Sequence, residues 1–280
     1  MDEAPSPKPS GLGASSTTTL IVPGQHAKKL IMAGHSHWAG IKHKKALVDS
    51  KRSKLWSKLS KAIIVAAKLG GGDPDANIRL RSAILEAKSL SLPKDNIERA
   101  IKRGIGELDG GNVEETLYEG YGPGGVAIMC DIMTDNRNRT APEIRKIFDV
   151  HGGALGGTGC VAYIFERKGL LAIPLEGKDE EQLIELAMEN EALDVENRGE
   201  RLEITTAPEC LSQLATAFEQ AGIEMEVNEV VRIPQTTVDV DNETAKTILK
   251  LLETLEDHDD VQTVSTNLNF EHQSVAQLLS

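Results

Sequence analysis

KRSKLWSKLSKAIIVAAKLG, residues 51–70, carries two helical patterns at once. Leu55, Leu59, Ala62, Ile63 and Ala66 recur at three and four residues, the spacing of a helix with one side against a core. Lys51, Lys54, Lys58, Lys61 and Lys68 advance in the same way, interrupted only at Val65, and at 100° per residue they form a separate stripe roughly opposite the apolar face. No Asp or Glu lies between Lys51 and Lys68, so i,i+4 ion pairs cannot neutralise the stripe within its own helix. Such a row of cations can follow a phosphate backbone. A solvated helix face is the competing reading.

Downstream, Gly70-Gly71-Gly72 ends this helix. Asp73 is placed to cap a second one with Pro74 at its first position, and Ile78, Ile84, Leu85 and Ala87 supply its buried side up to Ser89. Leu92-Pro93 begins a third, with Ile97, Ala100 and Ile101 inward and Gly104 as a left-handed C-terminal cap. Residues 50–104 therefore read as a helical domain. After the joint Gly104–Asn112 the pattern becomes extended, with strands expected at Val126–Met133 and Cys160–Phe165. Between them Thr140 and Glu143 match a capping box for a helix over 141–150, which makes a β-α-β unit. The same rhythm continues through strands near 170–174, 201–206, 226–233, 236–241 and 261–269 and helices near 179–190, 208–221 and 243–256. The expected fold class is α+β, with helices on one face of small ferredoxin-like sheets.

Upstream, residues 1–27 are rich in Pro, Ser, Thr and Gly and read as a disordered tail without the marks of a targeting signal. Between tail and helix, AGHSHWAGIKHKK at 33–45 brings His35, Ser36 and Trp38 beside Lys42, Lys44 and Lys45, with Arg52 adding charge further on. Trp38 can stack on a base while His35 and Ser36 bond phosphate or base edges; alternatively, Trp38 fills the helical core. His35, His37 and His43 invite a metal reading, but no carboxylate or thiolate accompanies them, and no metal or other cofactor is expected.

Charge is divided along the chain. Residues 28–106 hold 18 Lys+Arg against 6 Asp+Glu, whereas residues 107–280 hold 12 against 35. A polyanion is attracted by the first part and repelled by the second; mutual neutralisation of the two parts within one molecule is the alternative. A 40% hydrophobic, 26% charged chain is compatible with sizeable cores. Its longest apolar run, Ala62–Ala67, falls far short of the roughly 20 residues of a membrane span. Cys130, Cys160 and Cys210 contain no CxxC pair and suggest a reducing compartment, so a cytoplasmic protein is expected.

Gly152–Gly159 lacks the Gly-Lys-Ser/Thr of a phosphate loop and precedes a strand, and Gly122-Pro123-Gly124-Gly125 reads as a turn. Arg137 and Arg139 lie just before the helix assigned to the Thr140 cap, where guanidinium and backbone N–H groups can hold a phosphate; an exposed loop is the other reading. No nucleophile elbow, paired His and Cys or HExxH motif occurs, so neither an enzyme nor a small-molecule substrate is expected.

At these residues the chain resembles the YebC family. The resemblance is carried by AGHSHWAGIKHKK at 33–45, LGGGDPDANIRLRSAILEAK at 69–88, LPKDNIERAIKRG at 92–104, YEGYGPGGVAI at 118–128 and TDNRNRTAPEIRKIF at 134–148. It covers Met32 to the end, fits Met32 as an initiator, and meets His37 where the family commonly has lysine. The resemblance implies three domains, an N-terminal helical one and two ferredoxin-like α+β domains, the third inserted into the second. The bounds are then 1–31 for the tail, 32–111, 112–168 plus 236–280, and 169–235 for the insertion. It also implies a DNA-binding transcriptional regulator, with a ribosome-associated, RNA-binding translation factor as the alternative. The expected nucleic-acid contacts are His35, Ser36, Trp38, Lys42, Lys44, Lys45, Lys51, Arg52, Lys54, Lys58, Lys61, Arg137 and Arg139.

Overall fold

In the computed structural model the described residues are 49–110 and 112–269. Three helices come first: α1 (Asp49–Gly70), α2 (Ile78–Ser89) and α3 (Lys94–Gly104). Their shared core is built from Leu59, Ile63, Ala66 and Ala67 of α1, Leu80, Ile84 and Ala87 of α2, and Ile97 and Ala100 of α3. The apolar spacing of α1 thus does what it implied.

The start of α2 differs from expectation. Asn77 is its cap: Oδ1 accepts from the Leu80 N–H at 3.1 Å, while Nδ2 donates to the carbonyls of Ala66 and Gly71. One buried amide therefore closes α1 and opens α2, whereas Asp73 only shapes the turn before it. The buried side of α2 is Leu80, Ile84 and Ala87, and Ile78 and Leu85, expected inside, fall on the opposite side at 64% and 59% exposure. Gly104 is not a left-handed cap either; the positive φ falls on Gly106. Gly104 is needed for closeness, since a Cβ there would meet the Ile64 carbonyl oxygen at 2.5 Å and the Ala67 Cβ at 2.7 Å.

The remainder is α+β, with two four-stranded antiparallel sheets. The first contains β1 (Glu114–Tyr121), β2 (Ala127–Thr134), β3 (Ala154–Leu155) and β8 (Val261–Thr266) in the order β3-β1-β2-β8. Helices α4 (Arg137–Val150) and α7 (Asn242–Glu256) cover one face through Ile144, Phe148, Ile248, Leu252 and Leu255. The second sheet is formed by residues lying between β3 and β8 in the chain: β4 (Phe165–Pro174), β5 (Ala192–Asn197), β6 (Arg201–Thr206) and β7 (Val227–Pro234), in the order β5-β6-β4-β7. Helices α5 (Glu180–Glu189) and α6 (Leu211–Gln220) complete a β-α-β-β-α-β unit around Leu171, Ile173, Ile204 and Phe218. The two sheets are tied by Arg232 of β7, which donates to both carboxylate oxygens of Asp131 on β2.

Around residues 126–165 the β-α-β unit closes on a different strand from the one expected: β2, α4 and β3 form it, with β1 between the two parallel strands. The 127–134 strand pairs as a hairpin with β1, and the Gly122–Gly125 turn joins them, with the Gly122 N–H bonded to the Val126 carbonyl. Residues Ala162–Ile164 form a 3-10 turn, and the strand begins only at Phe165. Residue 169, expected to open the insertion, lies inside β4. Thr236–Asp241 contributes a single bridge, Val238 to Leu268, instead of a strand.

Candidate nucleic-acid interface

The described lysines of the α1 stripe have hydrogen-bond partners within the chain, with Lys54 and Lys68 exposed and Lys58 and Lys61 half-buried. Val65, which interrupts it, is buried, and Met133 of β2 packs against the helical core from the first sheet. Lys54 Nζ donates to the Asp257 carbonyl at 3.0 Å, Lys58 Nζ to the Glu256 carbonyl, and Lys61 Nζ to the Asp259 carbonyl at 3.0 Å and to Asp260 Oδ1. Lys68 reaches the Val113 carbonyl at 3.3 Å. The physical reason lies at the end of α7, whose last turn has no basic residue. Its last carbonyls carry the negative end of the helix dipole, and α1 supplies cations to them from outside. Three backbone carbonyls and one carboxylate some 200 positions away in the chain thus receive Lys54, Lys58 and Lys61.

Asp260 is the centre of this joint. Its side chain is 2% exposed and accepts from Lys61, from Arg139 Nη2 at 2.8 Å, from Thr140 Oγ1 at 2.6 Å and from Thr134 Oγ1 at 3.1 Å. Burial alone raises the pKa of a carboxyl, but the hydrogen bonds from Lys61, Thr140 and Arg139 outweigh it and hold Asp260 well below the usual carboxylate range. One anion therefore joins α1, the end of β2 and α4.

This arrangement corrects the reading of the Arg137–Arg139 loop. The cap of α4 is Asn136, whose Oδ1 accepts from the Arg139 N–H, so both arginines lie in the first helical turn. Thr140 is buried inside the helix and directed at Asp260. The Arg139 guanidinium is bonded to Asp135 at 3.1 Å and to Asp260, and the hydrogen bond to Asp260 chiefly raises its pKa. Arg137 reaches Thr116 Oγ1 at 3.0 Å and remains exposed. Glu143, His258 and Asp260 offer three potential ligand atoms close together. Asp260 is already matched there by two side-chain cations, and His258 Nδ1 accepts from the Asp260 N–H.

The glycine-rich loop before β4 also holds an anion of the chain's own. Glu119 of β1, 2% exposed, accepts from the N–H groups of Gly159 at 2.7 Å, Val161 at 2.9 Å and Ala162 at 2.8 Å. Burial pushes its pKa up, the three N–H groups bring it down further, and the net shift is downward. The N–H groups that could have cradled a phosphate are thereby filled.

Of the expected contacts, the structure brings Lys54, Lys58, Lys61 and Arg139 to one internal joint and leaves Arg137 apart from it. Lys51 and Arg52 lie in the first turns of α1, and their side chains fall outside the description. His35, Ser36, Trp38, Lys42, Lys44 and Lys45, with the histidines of the metal reading at 37 and 43, lie outside the described residues. Asp260 and Glu119 were not singled out from sequence. Glu119 stands in the YEGY segment and Asp260 in a run of acids, and neither position carries a spacing rule that marks a buried carboxylate.

Among the described residues no helix is long and apolar enough to cross a membrane. Residues 36–107 match the TACO1/YebC protein N-terminal domain, and residues 113–268 match the TACO1/YebC second and third domain. A probable transcriptional regulatory protein of Rhodopirellula baltica is 61% identical over 247 residues, covering 88% of this chain and 100% of that protein. One of the same description from Natranaerobius thermophilus is 56% identical over 243 residues, covering 86% and 97%. The crystal structure of a conserved hypothetical protein from Aquifex aeolicus is similar at a TM-score of 0.76 and 51% identity, covering 83% of this chain and 96% of that one. On both the sequence matches and the shared fold, the chain belongs to the TACO1/YebC family.

Proposed function

We propose that the chain is a DNA-binding regulator of transcription that makes its contact through the basic segment 28–106. The observation that carries this reading is the division of charge, 18 Lys+Arg against 6 Asp+Glu in that segment and 12 against 35 beyond it. Relatives described as probable transcriptional regulatory proteins support it. The acidic α+β portion repels a polyanion, which confines binding to one end of the molecule. In this reading residues 32–111 form the binding domain, residues 112–168 with 236–280 the domain that holds it, and residues 169–235 the insertion. His35, Ser36, Trp38, Lys42, Lys44, Lys45, Lys51 and Arg52 remain contacts, whereas Lys54, Lys58, Lys61 and Arg139 are given to the internal joint. The three thiols are free, which fits a reducing compartment such as the cytoplasm.

The test is fluorescence anisotropy of the full chain with a random-sequence duplex between about 50 and 200 mM salt. The expected result is a log K that falls linearly with log salt. Absence of binding at the lowest salt, with a folded protein, refutes the reading.

A further inference from the structure

The cations of the helical unit divide into those with partners and those without. Lys54, Lys58, Lys61 and Lys68 are turned onto carbonyls or Asp260. Arg79 pairs with Glu115, Arg81 donates to the Pro74 and Asp75 carbonyls, and Lys94 pairs with Glu98. Lys88 at the end of α2 and Arg99, Lys102 and Arg103 of α3 are exposed and make no ion pair or hydrogen bond through their side chains among the described residues.

At 100° per residue Arg99, Lys102 and Arg103 centre about 135° around α3 from Ile97 and Ala100, which are buried in the helical core. The inner side is seated without slack, because Gly104 approaches the Ile64 carbonyl and Ala67 too closely for a Cβ. Ile64 and Ala67 lie on a different side of α1 from Lys54, Lys58 and Lys61, so α3 and the acidic end of α7 flank α1 separately. The outer face of α3 is thus a rigid cationic surface turned away from the α7 joint. Glu98, beside Arg99 and four residues before Lys102, is paired with Lys94, and neither it, Asp95 one turn earlier, nor Glu107 and Asp109 past the helix end forms an ion pair with these three. Positions 99 to 103 span about 6 Å of helix axis. Three cations in that length complement a phosphate backbone, and the duplex of the DNA-binding reading, with one charge per roughly 1.7 Å of axis, brings more than one phosphate within their reach.

We propose that the outer face of α3, formed by Arg99, Lys102 and Arg103, is a contact surface for the phosphate backbone of duplex DNA. It rests on the DNA-binding reading above and assigns that binding to a surface other than the lysine stripe. Three phosphates neutralised here release their counterions, giving affinity without choice of sequence.

The experiment is a salt titration of the full chain and of R99Q/K102Q/R103Q on a random-sequence duplex and on a single-stranded RNA. On the duplex the magnitude of the log K against log salt slope should fall by about 2.7, and by about 0.9 for R99Q alone. Far-UV circular dichroism and the thermal midpoint should stay at wild-type values, since all three side chains are exposed. If R99Q/K102Q/R103Q keeps the wild-type slope on a duplex that the wild type binds, this face is not a contact and the assignment is overturned. A slope that changes on the RNA alone overturns the commitment to duplex DNA. Wild-type protein that binds no duplex refutes the DNA-binding reading itself and this surface with it; R99Q alone carries the test if the triple variant fails to fold.

Discussion

Replacing Asp260 with Asn takes one negative charge out of the joint between α1 and the first sheet and keeps the shape of the side chain. The amide oxygen can still accept from Thr134 and Thr140, but the NH2 group now confronts Lys61 or Arg139. Removing one partner of a buried ion pair costs about 3–5 kcal/mol when the remaining charge stays buried. The Arg139 side chain is 45% exposed and can turn to water, whereas that of Lys61 is 15% exposed. The loss therefore falls mainly on Lys61, and we expect about 2–4 kcal/mol. Unfolding of a chain with several cores is not a single two-state step, so urea denaturation is paired with site-resolved hydrogen exchange. In D260N, amides of Leu59–Ala67 in α1 should lose protection while those of β4 and β6 keep theirs. Acid adds a second signature. Because the folded carboxyl titrates below its unfolded value, its contribution is complete above about pH 4 and is withdrawn as pH falls further. Wild-type α1 should lose protection across that range, and D260N should lack that component. A wild-type denaturation midpoint and wild-type exchange in α1 would refute the reasoning.

K54Q/K58Q/K61Q should loosen the same joint, seen as lost exchange protection in α1, with little change in the salt slope on duplex DNA; a slope reduced by about 2.7 would return these lysines to phosphate contact. Glu119→Gln should cost about 1.5–3 kcal/mol, read in urea, because one carboxylate organises three buried N–H groups. An unaltered midpoint there would mean that the 157–162 loop holds itself. Gly104→Ala should cost about 1–3 kcal/mol by forcing α3 off α1, and a stability within error of wild type would contradict the close crossing.

The sequence made the α1 core face legible, because Leu55, Leu59, Ile63 and Ala66 obey one period over about three turns. It left β1 unread because Glu119 occupies a buried position between Leu117 and Tyr121, and a carboxylate there breaks the apolar alternation that marks a strand. Strand β5 escaped for a related reason: it is an edge strand, with a register shift between Ala192 and Asp194 that spoils its period. At the start of α4 two caps compete, and Thr140 matches the local rule while Asn136 performs it; the Thr140 hydroxyl is spent on Asp260, 120 positions away. The lysine stripe was visible as a stripe. Its destination was not, because the carbonyls that receive it belong to the end of a helix that no local pattern links to α1. Of the described lysines of α1, Lys61 meets the Asp260 carboxylate, whereas Lys54 and Lys68 meet backbone carbonyls.

The decisive measurement is ultraviolet cross-linking of the protein to nucleic acid in cells, with sequencing of the nucleic acid and mass spectrometry of the attached peptides. DNA binding through the basic segment should yield promoter DNA joined to peptides from residues 28–106, with Arg99–Arg103 protected or cross-linked. Ribosomal RNA in place of DNA, or adducts confined to residues 107–269, would contradict it.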